Sequence, residues 1–162
     1  MFAMGRFGVL IMIIRMATEA DIPHIKQIRP GIEHERIVHR LEMQAKGEAE
    51  FLVVEDQRVL VSFVFLKYAG TLTHPAYPNL EDLVTRPDKR RLGYARALLV
   101  DCEKRVKRRG FHKIGLAADP NSADPGRQLY EQLGYQHDGG AAFVDGIYNG
   151  VEDWAINMEK EL

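Results

Sequence analysis

The chain has 162 residues, 46% of them hydrophobic and 28% charged, and 22 basic against 23 acidic side chains leave a formal net charge of −1. That length suits one domain whose core needs no disulfide or metal, and the near-neutral charge gives no global field toward nucleic acid or an anionic membrane. A single cysteine excludes an internal disulfide and a multi-cysteine zinc site.

The apolar run from Val9 to Ile14 is too short to span a bilayer, and no small-x-small cleavage site follows it. A buried first strand is expected at Met12 to Met16, with residues 1–11 an N-terminal extension; Met1 and Met12 both stand open as the start. Thr18 begins a helix with Pro23 in its first turn, and Arg29-Pro30-Gly31 ends it. A second helix is expected from Glu33 to Lys46, with Ile37, Leu41 and Ala45 on one stripe. Phe51 to Val54 and Val59 to Tyr68 are rich in β-branched and aromatic residues and flank a short polar turn, which predicts a hairpin. Gly70 to Pro78 reads as a loop, so His74 and Tyr77 are expected in solvent, a contact with substrate being the alternative. Leu80 to Thr85 is a strand stopped by Pro87.

Ala95 to Arg109 carries Ala95, Leu98, Leu99, Cys102 and Val106 at helical intervals, which predicts an amphipathic helix closed by Gly110. Cys102 falls on its apolar face as a buried thiol. Lys113 to Ala118 is a short strand, Asp124-Pro125 opens a helix that ends at Gly134, Phe143 to Gly150 resembles a hairpin, and Trp154, Ile156 and Met158 alternate with polar residues in a last strand. The order β-α-α-β-β-β-α-β-α-β-β predicts a mixed α/β fold, a central sheet flanked by helices. His34 and His39 are spaced wrongly for one helix face, so no metal site is expected. The basic run Lys104 to Arg109 has no interleaved aromatic platform for nucleic acid; it fits a solvated helix end or an anion contact.

The segment Val84 to Ala95 holds the clearest chemistry. A strand leads through a basic turn into a helix start, which aims unpaired N–H groups and the helix dipole at one spot. Gly93 allows close backbone approach, and Arg86, Lys89, Arg90 and Arg91 add charge. A phosphate site and a plain basic turn both fit the loop alone, which lacks the Lys-Ser/Thr ending of a P-loop and a three-glycine fingerprint.

Arg90-x-x-Gly93-x-Ala95 resembles the Arg/Gln-x-x-Gly-x-Gly/Ala signature of the GCN5-related N-acetyltransferases, and Leu129-Tyr130-x-x-x-Gly134-Tyr135 is similar to that family's later Leu-Tyr-x-x-x-Gly-Phe/Tyr segment. The element order is similar from about Ile13 to Leu162. The resemblance implies a domain over 12–162 with a twisted, mostly antiparallel sheet of six to seven strands. It also implies one splayed parallel pair and about four helices. It implies acetyl-CoA as cosubstrate, no metal, and direct transfer of acetyl to a primary amine of a small molecule or peptide.

By the same resemblance the amides of Arg91, Leu92, Gly93, Tyr94, Ala95 and Arg96, with Arg90, would hold the pyrophosphate. Leu83, Val84 and Arg86 would pair with the pantetheine arm as an added strand does, and an N–H near Val84 would face the oxyanion. Tyr130 would protonate the departing thiolate, local packing of its ring being the alternative. Adjacent strand residues face opposite sides, so only one of Glu81 and Asp82 can face the thioester. Glu81, directly or through water, is the candidate base; water alone, or a purely structural salt-bridged role for both acids, also fits. The family's Asn-x-x-Ala spacing is broken after Asn121, so a coenzyme contact and a turn role beside Pro120 both stand. The 143–150 hairpin would line the acceptor site or a homodimer contact. Glu81, Asp82, Glu152 and Asp153 favour a cationic acceptor. A cytoplasmic location is expected, without nucleic-acid or membrane partners. A non-catalytic acyl-CoA-binding regulator or interaction protein is the competing reading.

Overall fold

The strands at the centre of the sequence carry apolar side chains at consecutive positions, so both faces of their sheet need cover. The computed structural model describes residues 12–162; the expected extension at 1–11 lies outside the described residues. Strands β1 (Met12–Met16), β2 (Ala49–Asp56) and β3 (Val59–Lys67) pair antiparallel in sequence order of position. Phe51, Val53, Phe63 and Phe65 face α1 (Ile22–Ile28) and α2 (His34–Ala45). Leu52, Val54, Val64 and Leu66 face the opposite core, built on α3 (Tyr94–Arg108) with Leu98, Leu99, Cys102 and Val106. Leu129 and Tyr130 of α4 (Pro125–Gln132) pack against that second core. Phe51 meets Phe63 and Phe65 edge-on at 5.7 and 5.9 Å, the arrangement aromatic quadrupoles favour.

The remaining strands are β4 (Asn79–Thr85), β5 (Lys113–Ala118), β6 (Gln136–His137), β7 (Phe143–Tyr148) and β8 (Val151–Glu161). The sheet runs β1-β2-β3-β4-β5-β8-β6, with β7 on the first half of β8. Every pairing is antiparallel except β4 with β5. That parallel ladder holds only Asn79 opposite Gly115 and Leu80 opposite Leu116 before the strands part. Single 3₁₀ turns, Glu19–Asp21 and Pro87–Lys89, precede α1 and α3.

Two expectations change. The sheet has eight strands, because β8 is 11 residues long and serves three neighbours, β5, β6 and β7. Asn149 and Gly150 both take positive φ, 51° and 77°, the turn geometry that matches strand twist in a tight hairpin. On β8 Trp154 is 48% exposed and its indole N–H donates to Glu152.

His74 is buried rather than solvated. Its ring stacks on Tyr77 at 4.5 Å and 4° between planes, and Tyr77 donates its hydroxyl to Glu159. The loop from Gly70 to Pro78 folds onto β5 because Gly115 has no side chain there. A Cβ at Gly115 would lie 2.9 Å from both His74 Cε1 and Tyr77 Cε2. Gly115→Ala is therefore expected to cost about 1–3 kcal/mol by overpacking, read as a lower urea midpoint. Adding His74→Ala should recover part of that loss; a double variant as unstable as the sum of the two would show that the stack is not what Gly115 accommodates.

Candidate active site

The site begins with a miscount between two strands. Phe65 lies opposite Glu81 and Phe63 opposite Val84, so Asp82 and Leu83 together face the single residue Val64. Asp82 takes φ 52° to accommodate this bulge. A bulge bends its strand and re-aims side chains, and here it turns β4 away from β5 just after their two paired positions. The bulge also breaks strict alternation, contrary to the expectation that Glu81 and Asp82 face opposite sides. Both carboxylates reach the same guanidinium: Arg40 Nη2 lies 3.5 Å from Glu81 and 2.7 Å from Asp82.

Arg40 is buried, with its guanidinium 4.7 Å from the Phe65 ring centroid, a cation–π contact that helps hold the charge there. Arg29 meets the other Asp82 oxygen at 2.6 Å, and Arg36 stands 3.8 Å away. Burial pushes the Asp82 carboxyl up, but Arg40 and Arg29 outweigh it and hold the group below the ordinary aspartate range.

Where β4 and β5 separate, a cavity of about 200 Å³ opens, lined by Leu80, Leu83, Leu116, Tyr130, Asp82 and Asp145 among others. Tyr130 is thus brought to the wall of the strand gap. Burial, and then the negative charge of Asp124, push its hydroxyl up to about 12, so it keeps its proton at neutral pH. Glu81 lines neither this cavity nor its neighbour. The neighbour is a pocket of about 430 Å³ bounded by Arg29, Asp82, Asp145, Tyr148, Glu152 and Asp153, with Val151. Asp82 and Asp145 belong to both.

Beyond the bulge, β4 runs into the basic loop. Arg86 N donates to Val61 O at 2.8 Å, and the Arg86 side chain pairs with Asp88. Arg91 takes φ 62°, and Gly93, the N-cap of α3, takes φ 89°. Glycine is needed at this last position for its backbone angle, since a Cβ there would meet nothing within 4 Å. No side chain caps α3, so the first N–H groups of the helix have no intrahelical partner. Arg90, Arg91 and Leu92 are exposed, and among the described residues neither arginine has an ion-pair partner. Tyr94 is tied down through its hydroxyl to Asp56, and Arg96 donates to Gln132 at 3.1 Å. Uncapped amides, a helix dipole and two unpaired arginines make this loop a fitting cradle for a polyphosphate. Asn121 sits in a turn after β5: its backbone N–H is taken by Asp119 and its side-chain oxygen accepts from Ala123 N.

Sequence reasoning missed Asp145, Arg29 and Arg40. The cue for Asp145 was the Asn149-Gly150 turn, which sets the hairpin that carries it. The arginines lie on or just after helices with no local signal to single them out.

The comparisons with known proteins agree with this geometry. No curated protein matches the chain. Among solved structures, a ribosomal-protein-alanine N-acetyltransferase from Brucella melitensis is 21% identical, with a TM-score of 0.76 over 93% of this chain and 99% of that one. A phosphinothricin acetyltransferase from Sinorhizobium meliloti, solved with acetyl-CoA, is 20% identical, with a TM-score of 0.74 over 93% and 88%. An N-acetyltransferase from Thermoplasma acidophilum, solved with coenzyme A, is 18% identical, with a TM-score of 0.66 over 93% and 99%. These likenesses establish the fold. The model of the acetyltransferase (GNAT) family matches residues 18–135, and with a match over that much of its length the chain belongs to that family.

Proposed function

We propose that the chain is an acetyl-CoA-dependent N-acetyltransferase whose acceptor is a cationic primary amine of a small molecule or peptide. One observation carries the reading. The gap where β4 leaves β5 holds Tyr130 on its wall, lies on the strand that feeds the uncapped start of α3, and shares two carboxylates with an acid-lined pocket. The Sinorhizobium and Thermoplasma structures, solved with acetyl-CoA and coenzyme A, support it by analogy of fold.

The residues present fit the coenzyme. The N–H groups from Arg91 to Arg96, with Arg90 and Arg91 beside them, would hold the pyrophosphate. The edge of β4 from Leu83 to Arg86, which makes no ladder with β5, would bind the amides of the pantetheine arm, and Asn121 remains a candidate contact for that arm. Acetyl-CoA, when bound, supplies an acetyl group activated as a thioester. An N–H near Val84 would stabilise the negative charge that develops on its carbonyl oxygen. Tyr130, protonated at neutral pH, gives its hydroxyl proton to the sulfur as it departs. In the acceptor pocket Asp82, Asp145, Glu152 and Asp153 outnumber Arg29, which favours an ammonium group and holds it beside the gap. Positioning supplies much of the rate. Glu81, paired with Arg40 and outside both cavities, reaches the acceptor only through water.

Thermal melting with acetyl-CoA tests the first half of this reading. A ligand that binds only the folded state stabilises it by about 2.7 kcal/mol at a hundredfold excess over Kd, so a clear rise in Tm is expected, reduced in Arg90→Ala/Arg91→Ala. No rise would remove the coenzyme from the account. Release of coenzyme A over a panel of amines tests the second half. Tyr130→Phe is expected to lower kcat on the order of 10²-fold while leaving the acetyl-CoA melting shift unchanged. A full melting shift without turnover on any amine would make the protein an acyl-CoA binder instead of an enzyme.

A further inference from the structure

The reaction needs a group to take a proton from the acceptor, because an amine is an ammonium near neutral pH and has no free lone pair. Three carboxylates stand near the strand gap, and their surroundings separate them. Glu81 is turned to Arg40 and lines neither cavity. Asp82 lines both cavities but is gripped by Arg29 at 2.6 Å and Arg40 at 2.7 Å. A carboxylate held by two guanidinium groups is a weak base, and its lone pairs are already engaged.

Asp145 differs from both. In the β7–β8 ladder Val144 lies opposite Trp154 and Gly146 opposite Asp153, so Asp145 is an extra residue with no partner across the strand. This second bulge sets it out of register, as the first does Asp82, and the two bulged residues are the two carboxylates common to both cavities. Among the described residues Asp145 has no ion-pair partner. We propose that Asp145, displaced from the ladder by the β7 bulge onto the shared wall of the two cavities, is the proton acceptor for the amine substrate. This rests on the transferase reading above.

The groups that face Asp145 support the role. Its own protein surroundings lift its carboxyl above the ordinary aspartate range, and Asp153 on β8 and Asp82 on β4 add to this, while Arg36 on α2 opposes it. Arg29, Tyr148 and Glu152, with Val151, complete the lining on that side. The raised carboxylate is the better base of the pair, and the lowered Asp82 the fixed anion that helps hold the ammonium. The proton balance closes. One ammonium proton passes to Asp145 Oδ and from there to solvent, and the freed nitrogen lone pair forms the bond to the acetyl carbon. The C–S bond breaks, its electron pair leaves on sulfur, and sulfur takes a proton from Tyr130. The nitrogen loses its second proton, which restores the Tyr130 hydroxyl. The net products are the amide, free thiol and one proton.

The test is the pH dependence of kcat/KM for the amine, at saturating acetyl-CoA, with n-butylamine, putrescine, spermidine and a lysyl peptide as probes. The base acts deprotonated, so the rate should rise with pH through the Asp145 pKa. Asp153→Asn removes a neighbouring negative charge, lowers that pKa, and should move the acidic limb to lower pH, which a purely structural role would not do. Asp145→Asn should lose the limb and at least about 10²-fold in rate, with its melting temperature no lower than that of the wild type and its acetyl-CoA shift unchanged, and Asp145→Glu should recover part of the rate. An Asp145→Asn enzyme with wild-type rate and profile would overturn the assignment, as would loss of the limb in Glu81→Gln alone. A wild-type chain that turns over none of the probes would overturn it together with the transferase reading, whereas the first two outcomes leave that reading standing.

Discussion

Between Glu81 and Val84 the fourth strand carries one residue more than the strand beside it can pair, and the left-handed turn at Asp82 absorbs the surplus. A straight β4 would continue its parallel ladder along β5 and close the gap. The bulge instead ends that ladder after two pairs, which leaves strand edge uncommitted in the middle of a sheet. Unpaired backbone is costly when buried without partners, so a gap of this kind persists only where the surrounding structure holds it open. The anchors are visible. Ser62 donates to Val84 O at 2.7 Å, and Arg40 and Arg29 hold the Asp82 side chain from the helical layer.

Those arginines also shape the charge. The chain is nearly neutral as a whole, yet its charge is sorted along the proposed path of the reactants. Arg90 and Arg91 have no ion-pair partner among the described residues at the start of α3, while Asp145, Glu152 and Asp153 crowd the proposed acceptor pocket. Arg29, Arg36 and Arg40 face the acids near the bulge and neutralise one of them, Asp82. The two ends of the site thus attract opposite charges, an anion at the helix start and a cation beyond the strand gap. Neutrality in the sum excludes a large polyanion without excluding a small one.

Much of this was legible before any coordinates. The hairpin, the amphipathic α3 and the Arg90-to-Ala95 loop follow from local pattern, and the loop appears where expected because a glycine with φ 89° and an uncapped helix are properties of a few adjacent residues. Tyr130 is likewise fixed by its own short helix. What was not legible depends on counting across strands. Whether β4 holds one residue too many is a fact about β3 as much as β4, and the alternation rule applied to Glu81 and Asp82 alone placed them on opposite sides. His74 was misplaced for a similar reason, since its burial depends on the missing side chain of Gly115, forty-one positions away by sequence number. Trp154 shares the alternation of Ile156 and Met158 yet is exposed, because it lies where β8 has left the sheet centre to pair with β7.

The two bulged aspartates also separate stability from catalysis in their pH dependence. Asp82 has a lowered pKa in the folded chain. It therefore stabilises the fold above the ordinary aspartate pKa and loses that contribution as pH falls through its depressed value. Asp145 is raised. Its ionised form works against folding, and protonation relieves that cost as pH falls. On a single titration axis Asp145 takes up its proton first, with Asp82 still charged and still bound to Arg29 and Arg40. The acidic limb of activity then lies at higher pH than any loss of the bulge that positions the base. A site in which Asp82 also served as base would tie the two together, since the proton that stopped the reaction would also loosen the arginine grip on the strand. Dividing the duties between two bulges allows one carboxylate to be half-buried, paired and structural while the other, with no ion-pair partner among the described residues, stays able to titrate.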